Sequence, residues 1–229
     1  MKIDVVQTGP LGVNTFLIPL SENKVLVVDP ANCAFSRDED DMFDYMEQHS
    51  FEPVAIALTH GHFDHIAGLV PFRKRFPHIP IAIHRNDRKM IGPDSQTEQS
   101  RALSLMGFDV FLPSVSCLPD ADVFFEDGKT LFDTYGELCG KEVHDALGQW
   151  RVIHTPGHTK GCVCLYNAAQ KVLVSGDTMF YHSWGRTDLP GGNEGEIQKS
   201  LKKIAEIVEK DVRVYPGHDY AGFELSQNL

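Results

Sequence analysis

The 229-residue chain has no apolar run long enough to span a membrane, no low-complexity segment and no internal repeat. A membrane-spanning helix needs about 20 consecutive apolar residues, and the apolar stretches here are of the length of Val25–Val28. The start, Met1-Lys2-Ile3-Asp4, places an acidic residue before any apolar run develops, so no secretory signal is read there. Cationic side chains are scarce: 21 Lys and Arg stand against 32 Asp and Glu, a net charge of −11. That balance argues against nucleic-acid binding, which needs clustered positive charge to neutralise phosphates. Cysteine is sparse and odd in number, at positions 33, 117, 139, 162 and 164. A chain of this size buries roughly 70% of its unfolded surface and needs no disulfide staples. Cys162 and Cys164 share one face of a strand and read as small buried hydrophobes. The expectation is a cytoplasmic protein of one domain, residues 1–229, associated with neither membrane nor nucleic acid.

Short apolar runs separated by Gly, Pro and Asn predict strands at Ile3–Val6, Thr15–Leu20, Lys24–Val28, Val54–Leu58 and Ile81–Ile83. Others are predicted at Trp150–His154, Cys162–Tyr166, Val172–Ser175 and Val212–Tyr215. Ser36–Glu39 and Ser95–Glu98 have capping-box spacing. They predict helices running to about His49 and to Gly107. Further helices are predicted over Ile66–Phe76 and Glu194–Glu209, and a strand pair around Asp127-Gly128, with arms Val123–Phe125 and Thr130–Phe132. The stretch Asp133–Gln149 carries no readable pattern. Strands interspersed with helices suit an α/β or α+β domain whose functional loops leave the strand ends.

One such loop is dense in metal-binding side chains. Thr59-His60-Gly61-His62-Phe63-Asp64-His65 follows a buried strand and precedes a helix. His60 and His62 share a direction if the backbone is still extended there, whereas Asp64 and His65 open the helix and point elsewhere. Imidazole and carboxylate together suit zinc, iron or manganese, and the lack of thiolate argues against a closed structural zinc site. Two ions need more donors than this loop offers. His158 (Pro156-Gly157-His158), Asp177 (Ser175-Gly176-Asp177) and His218 (Pro216-Gly217-His218) each follow a strand and a glycine. Glycine at that point permits a sharp turn and close backbone approach. His154, four residues before His158, reads as structural.

With these motifs the chain resembles the metallo-β-lactamase-fold superfamily, and Gly12-Val13-Asn14-Thr15-Phe16 and Val27-Val28-Asp29-Pro30 look like that family's opening hairpin. The resemblance implies a four-layer αββα sandwich. It implies one ion on His60, His62 and His158, a second on Asp64, His65 and His218, and Asp177 bridging both. Zinc is the foremost expectation for the two divalent ions, with iron and manganese as alternatives. The implied chemistry is two-metal hydrolysis, with Asp64 orienting the nucleophile and handling its proton.

Asp177-Thr178-Met179-Phe180 and the run from Gly185 to Gly192 resemble the short glyoxalase II-like thioester hydrolases. That likeness implies a small-molecule thioester such as hydroxyacylglutathione as substrate, with Arg186 and Tyr220 at substrate-contacting positions. An ion pair with Asp188 is an equal reading of Arg186. Gly185–Asp188 and Gly217–Tyr220 also resemble persulfide dioxygenases, in which His60, His158 and Asp177 would hold one iron. A non-catalytic metal-binding accessory protein is a third alternative.

Overall fold

The computed structural model describes residues 2–228. Its first sheet holds β1 (Asp4–Thr8), β2 (Val13–Pro19), β3 (Lys24–Val28), β4 (Glu52–Ala57), β5 (Ile81–His84) and β6 (Val123–Phe125), in that spatial order. β1 to β3 pair antiparallel, and β3 to β6 pair parallel. The second sheet holds β7 (Arg151–His154), β8 (Val163–Asn167), β9 (Val172–Gly176), β10 (Arg213–Pro216) and β11 (Phe223–Glu224). Only β9 and β10 run parallel there, and the helix α7 (Glu194–Ile207) provides their crossover.

Strand side chains alternate between faces, and the sorting of buried residues shows where each face goes. Val25, Val27 and Ile56 point to a core shared with α1 (Asp41–Gln48), α2 (Phe63–Ile66), α3 (Leu69–Arg75) and α4 (Ser95–Met106). Leu26, Val28, Ala55 and Ala57 point the other way, into a core shared with Val163, Leu165, Val172 and Val174 of the second sheet. Cys164, Tyr166 and Leu173 face outward onto Ile204 of α7 (Glu194–Ile207). Three cores between four layers make an αββα sandwich, the α+β architecture expected. Strands buried on both faces carry near-continuous apolar runs, because each fully buried Val or Leu contributes roughly 1.5–3 kcal/mol.

The structure departs from the sequence reading at several local points. Ser36 caps nothing: its hydroxyl donates to Asp38 Oδ1 at 2.6 Å, Arg37 has φ of 62°, and α1 opens only at Asp41. Ser95 lies inside the first turn of α4 without a capping bond, although the helix does stop at Gly107, whose φ is 65°. The helix predicted over Ile66–Phe76 is two, broken at Ala67 and Gly68, where the Gly68 N–H donates to the Pro30 carbonyl. The predicted strand pair around Asp127-Gly128 does not form. β6 pairs with β5 instead, and Thr130 and Asp133 form a reciprocal capping box that starts α5 (Leu131–Tyr135). The unread stretch after it contains α6 (His144–Gly148), and Leu131, Tyr135, Val143 and Leu147 close one edge of the inter-sheet core. All five cysteines are free, four of them buried, and no helix among the described residues is long and apolar enough to cross a membrane.

Candidate metal centre

Four strand ends meet at one edge of the sandwich. His60, His62, Asp64 and His65 lie in the loop and short helix after β4, His158 after β7, Asp177 after β9 and His218 after β10. Glycine is required at three of these exits, and at Gly157, with φ of 143°, a side chain would run into the Ile197 backbone. Gly176 has φ of 49°, and a side chain there would meet Thr59 Oγ1 at 2.5 Å. A side chain on Gly217 would strike the Asp177 carboxylate and approach His65 Cε1 to 2.6 Å. The strand–glycine–donor pattern therefore marks where the backbone of one strand end presses against the donors of another.

The seven side chains form two groups. The donor atoms of His60, His62 and His158 all lie within 4.8 Å of one another, as do those of Asp64, His65 and His218. Asp177 stands between them, with Oδ1 3.4 Å from His65 Nε2 and Oδ2 3.4 Å from His158 Nε2. The carboxylate thus faces both groups, with Oδ2 also 3.6 Å from His218 Nε2. His218 Nε2 is 3.2 Å from Asp64 Oδ2 and 3.2 Å from His65 Nε2.

The far ring nitrogens are fixed by neighbours, which aims the near ones inward. His158 Nδ1 lies 2.7 Å from the Arg186 carbonyl, His65 Nδ1 3.0 Å from Asp29 Oδ2, and His60 Nδ1 3.1 Å from Thr59 Oγ1. Asp29 organises two of these contacts, since it also accepts the Thr59 N–H at 2.7 Å and the Thr59 hydroxyl at 2.5 Å. A third combination, Asp29 with His60 and His65, also has donors within 4.8 Å. The Asp29 oxygens are already taken by Thr59 and His65, so it acts as an orienting carboxylate.

Charge differs between the groups. Burial pushes His60 well below the ordinary histidine range and His62 down to about 3, so both are neutral imidazoles at pH 7. Burial also opposes protonation of His65, but the Asp177 and Asp64 carboxylates outweigh it and hold His65 well above the ordinary range. Burial acts to raise Asp64 and Asp177, and the surrounding histidines, His65 foremost, reverse this and keep both ionised.

The fit to metal is direct. His60 Nε2, His62 Nε2 and Asp177 Oδ1 are buried without a hydrogen-bond partner among the described residues. Two imidazole nitrogens, His62 Nδ1 and His158 Nε2, also face each other at 2.7 Å. Converging buried lone pairs call for a cation, and nitrogen and oxygen donors of this number suit a pair of divalent ions.

A cavity of about 320 Å³ opens over these donors, and His62, Asp64, His158, Asp177 and His218 line it. Arg186 also lines it, and its guanidinium holds Asp188 by two bonds, Nε–Oδ1 at 2.7 Å and Nη2–Oδ2 at 2.8 Å. The ion pair with Asp188 expected of Arg186 is therefore present, on a side chain that also lines the cavity. Tyr220 is 61% exposed, packs edge-on against Tyr181 and lies outside the cavity lining. His154 stacks on His84 at 4.0 Å and bonds the Lys160 carbonyl, away from the donors.

Sequence reasoning left Asp29 without a role, although it sits in a quoted motif, and passed over Asp87 entirely. Asp87 is buried and accepts the Gly61 N–H (3.1 Å), the Gly161 N–H (2.8 Å) and the Thr159 hydroxyl (2.6 Å), tying the two metal-binding loops together. A lone Asp in a polar run carries no signal of this.

Residues 8–218 match the metallo-beta-lactamase superfamily. Among curated relatives, an uncharacterized protein of Aquifex aeolicus is 30% identical, with 95% of this chain and 90% of that protein covered. Hydroxyacylglutathione hydrolase GloC of Haemophilus influenzae is 23% identical over 95% of this chain and 91% of its own. Among solved structures, the BLEG-1 B3 metallo-beta-lactamase is 26% identical, covers 99% of this chain and 95% of its own, and superposes with a TM-score of 0.79. The di-iron-bound form of TTHA1623 is 25% identical over 98% and 96%, with a TM-score of 0.74.

Proposed function

The chain belongs to the metallo-beta-lactamase superfamily, and from that premise we propose that it is a metal-dependent hydrolase of acyl-thioesters. The observation that carries the proposal is Asp177, whose two oxygens face the two donor groups at 3.4 Å each. Such a bridging position supports a dinuclear centre, with His60, His62 and His158 holding one ion and Asp64, His65 and His218 the other. When bound, divalent ions supply Lewis acidity that acidifies water and polarises a carbonyl oxygen. GloC, similar over most of both chains, is named for hydrolysis of a thioester of this class.

The side chains supply the remaining functions. The cavity seats the thioester carbonyl beside Asp64, which is ionised and lines the wall. Asp64 orients the attacking water and accepts its proton as the new C–O bond forms. The C–S bond then breaks, and the thiolate takes up a proton, so that thioester and water give carboxylic acid and thiol. The Arg186 carbonyl and Asp29 hold His158 and His65 in place throughout.

The test is metal analysis of purified protein beside two assays. The expected outcome is two ions per chain with thioester cleavage and no O₂ consumption. One iron per chain with persulfide-dependent O₂ uptake and no thioester cleavage would replace this reading with the sulfur dioxygenase. Zinc, iron and manganese all suit the donors, so the same analysis identifies the metal.

A further inference from the structure

Resting on the thioester hydrolase reading, we infer that the preferred substrate carries a short apolar acyl group on a thiol without carboxylates, so that glutathione thioesters are poor substrates. The cavity above the donors is walled by Leu11, Phe63, Met106, Phe180 and Leu189. Leu11, at the turn between β1 and β2, is 45% exposed, and no core packing explains an apolar side chain there. At about 320 Å³ the cavity lies at the lower end of the range that encloses small ligands. It has room for an acyl group and its thioester bond, and the rest of the thiol must leave past the exposed lining residues Arg186 and Asp219.

Charge decides what that thiol is. Arg186 is the one fixed cation among the lining residues, and Asp188 already occupies it through both guanidinium bonds. A substrate carboxylate reaching Arg186 would exchange one exposed ion pair for another, with almost no net gain. Asp219 lines the same cavity and repels a carboxylate. Asp64 and Asp177 offset only part of the charge that two divalent ions would bring, but the remainder lies at the floor beside the reacting carbonyl, away from the outer end of the thiol. Glutathione carries two carboxylates, and this wall offers neither of them an unpaired cation.

The experiment uses the metal-loaded protein and four thioesters, isobutanoyl and lactoyl groups each on N-acetylcysteamine and on glutathione. Isobutanoyl and lactoyl differ by a methyl in place of a hydroxyl, so the acyl comparison reads wall polarity at nearly constant size. The isobutanoyl ester of N-acetylcysteamine is expected to show the highest kcat/KM, with S-lactoylglutathione on the order of tenfold or more below it. Asp188→Asn frees Arg186 and is expected to lower KM for the glutathione esters about threefold to fivefold, leaving the N-acetylcysteamine esters unchanged. Calorimetry with S-butyl-N-acetylcysteamine and S-butylglutathione checks the same preference in binding without turnover. Cleavage that favours glutathione esters, or an Asp188→Asn protein with an unaltered preference, overturns this inference and leaves the hydrolase reading intact. Failure to cleave any of the four overturns the hydrolase reading and this inference with it.

Discussion

His65 and His62 sit one turn of chain apart in a single loop, yet their environments set opposite charges. The pair of carboxylates beside His65 keeps it protonated in the ion-free protein, whereas at His62 burial and the neighbouring His158 outweigh the same carboxylates and push it down to about 3. A ligand must shed its proton before it can bind metal. Loading the His60, His62 and His158 group should therefore release no proton from His60 or His62 near neutrality. Loading the group that contains His65 and His218, both held above the ordinary range, should release at least the His65 proton, and its affinity should rise as pH increases toward the raised pKa of His65. Metal titrations in buffers of different protonation enthalpy between pH 6 and 8 would show this. Equal proton release and equal pH slopes for the two ions would sink the distinction. The donors themselves are legible in the sequence because four crowd one short segment after a buried strand and the other three each follow a strand and a glycine. Their unequal charge is not, because it depends on burial and on Asp177, which approaches from another strand.

At the scale of elements, the centre depends on loops being held in register by groups that never touch an ion. Asp87, in the turn after β5, accepts one donor from the loop after β4 and two from the loop after β7. Asparagine in its place keeps one acceptor oxygen and turns an NH₂ toward buried donors, leaving at least one unsatisfied at about 1–3 kcal/mol. Asp87→Asn should thus lower stability by about that amount, measured by denaturant unfolding. It should also weaken metal binding by the His60, His62 and His158 group more than by the other. Stability loss with both affinities unchanged would make Asp87 a structural residue only. Such long-range ties explain what was hard to read. Strands such as β3, β4 and β9 were predicted nearly to the residue because both faces are buried and apolarity alone marks them. Capping boxes were misplaced at Ser36 and Ser95 and overlooked at Thr130, since the four-residue spacing is common and only the fold decides which serine or threonine ends a chain segment. β11, two residues long, exists only by pairing with β10.

For the whole molecule, the donors divide between the two halves of the sandwich. His60, His62, Asp64 and His65 leave the first sheet, and His158, Asp177 and His218 leave the second. Each donor group draws from both, so bound ions cross-link the sheets at the edge where the apolar inter-sheet core ends. Without ions that edge holds buried, unpartnered nitrogen and carboxylate atoms, and closing it is correspondingly less favourable. Ions that bind the folded chain and not the unfolded one stabilise it by mass action, about 2.7 kcal/mol at a free concentration a hundredfold above Kd. For a chain of this length each kcal/mol moves Tm by roughly 2–4 °C. Chelation should therefore lower Tm by about 5–10 °C for each ion removed, and restoring one metal at a time should recover it in steps. Calorimetry of the chelated and reloaded protein makes the comparison, with far-ultraviolet circular dichroism confirming that the sheets persist in both. A Tm that does not move on chelation, while metal analysis shows that the ions have left, would mean that the strand-end geometry is held by the protein alone and that the ions cross-link nothing.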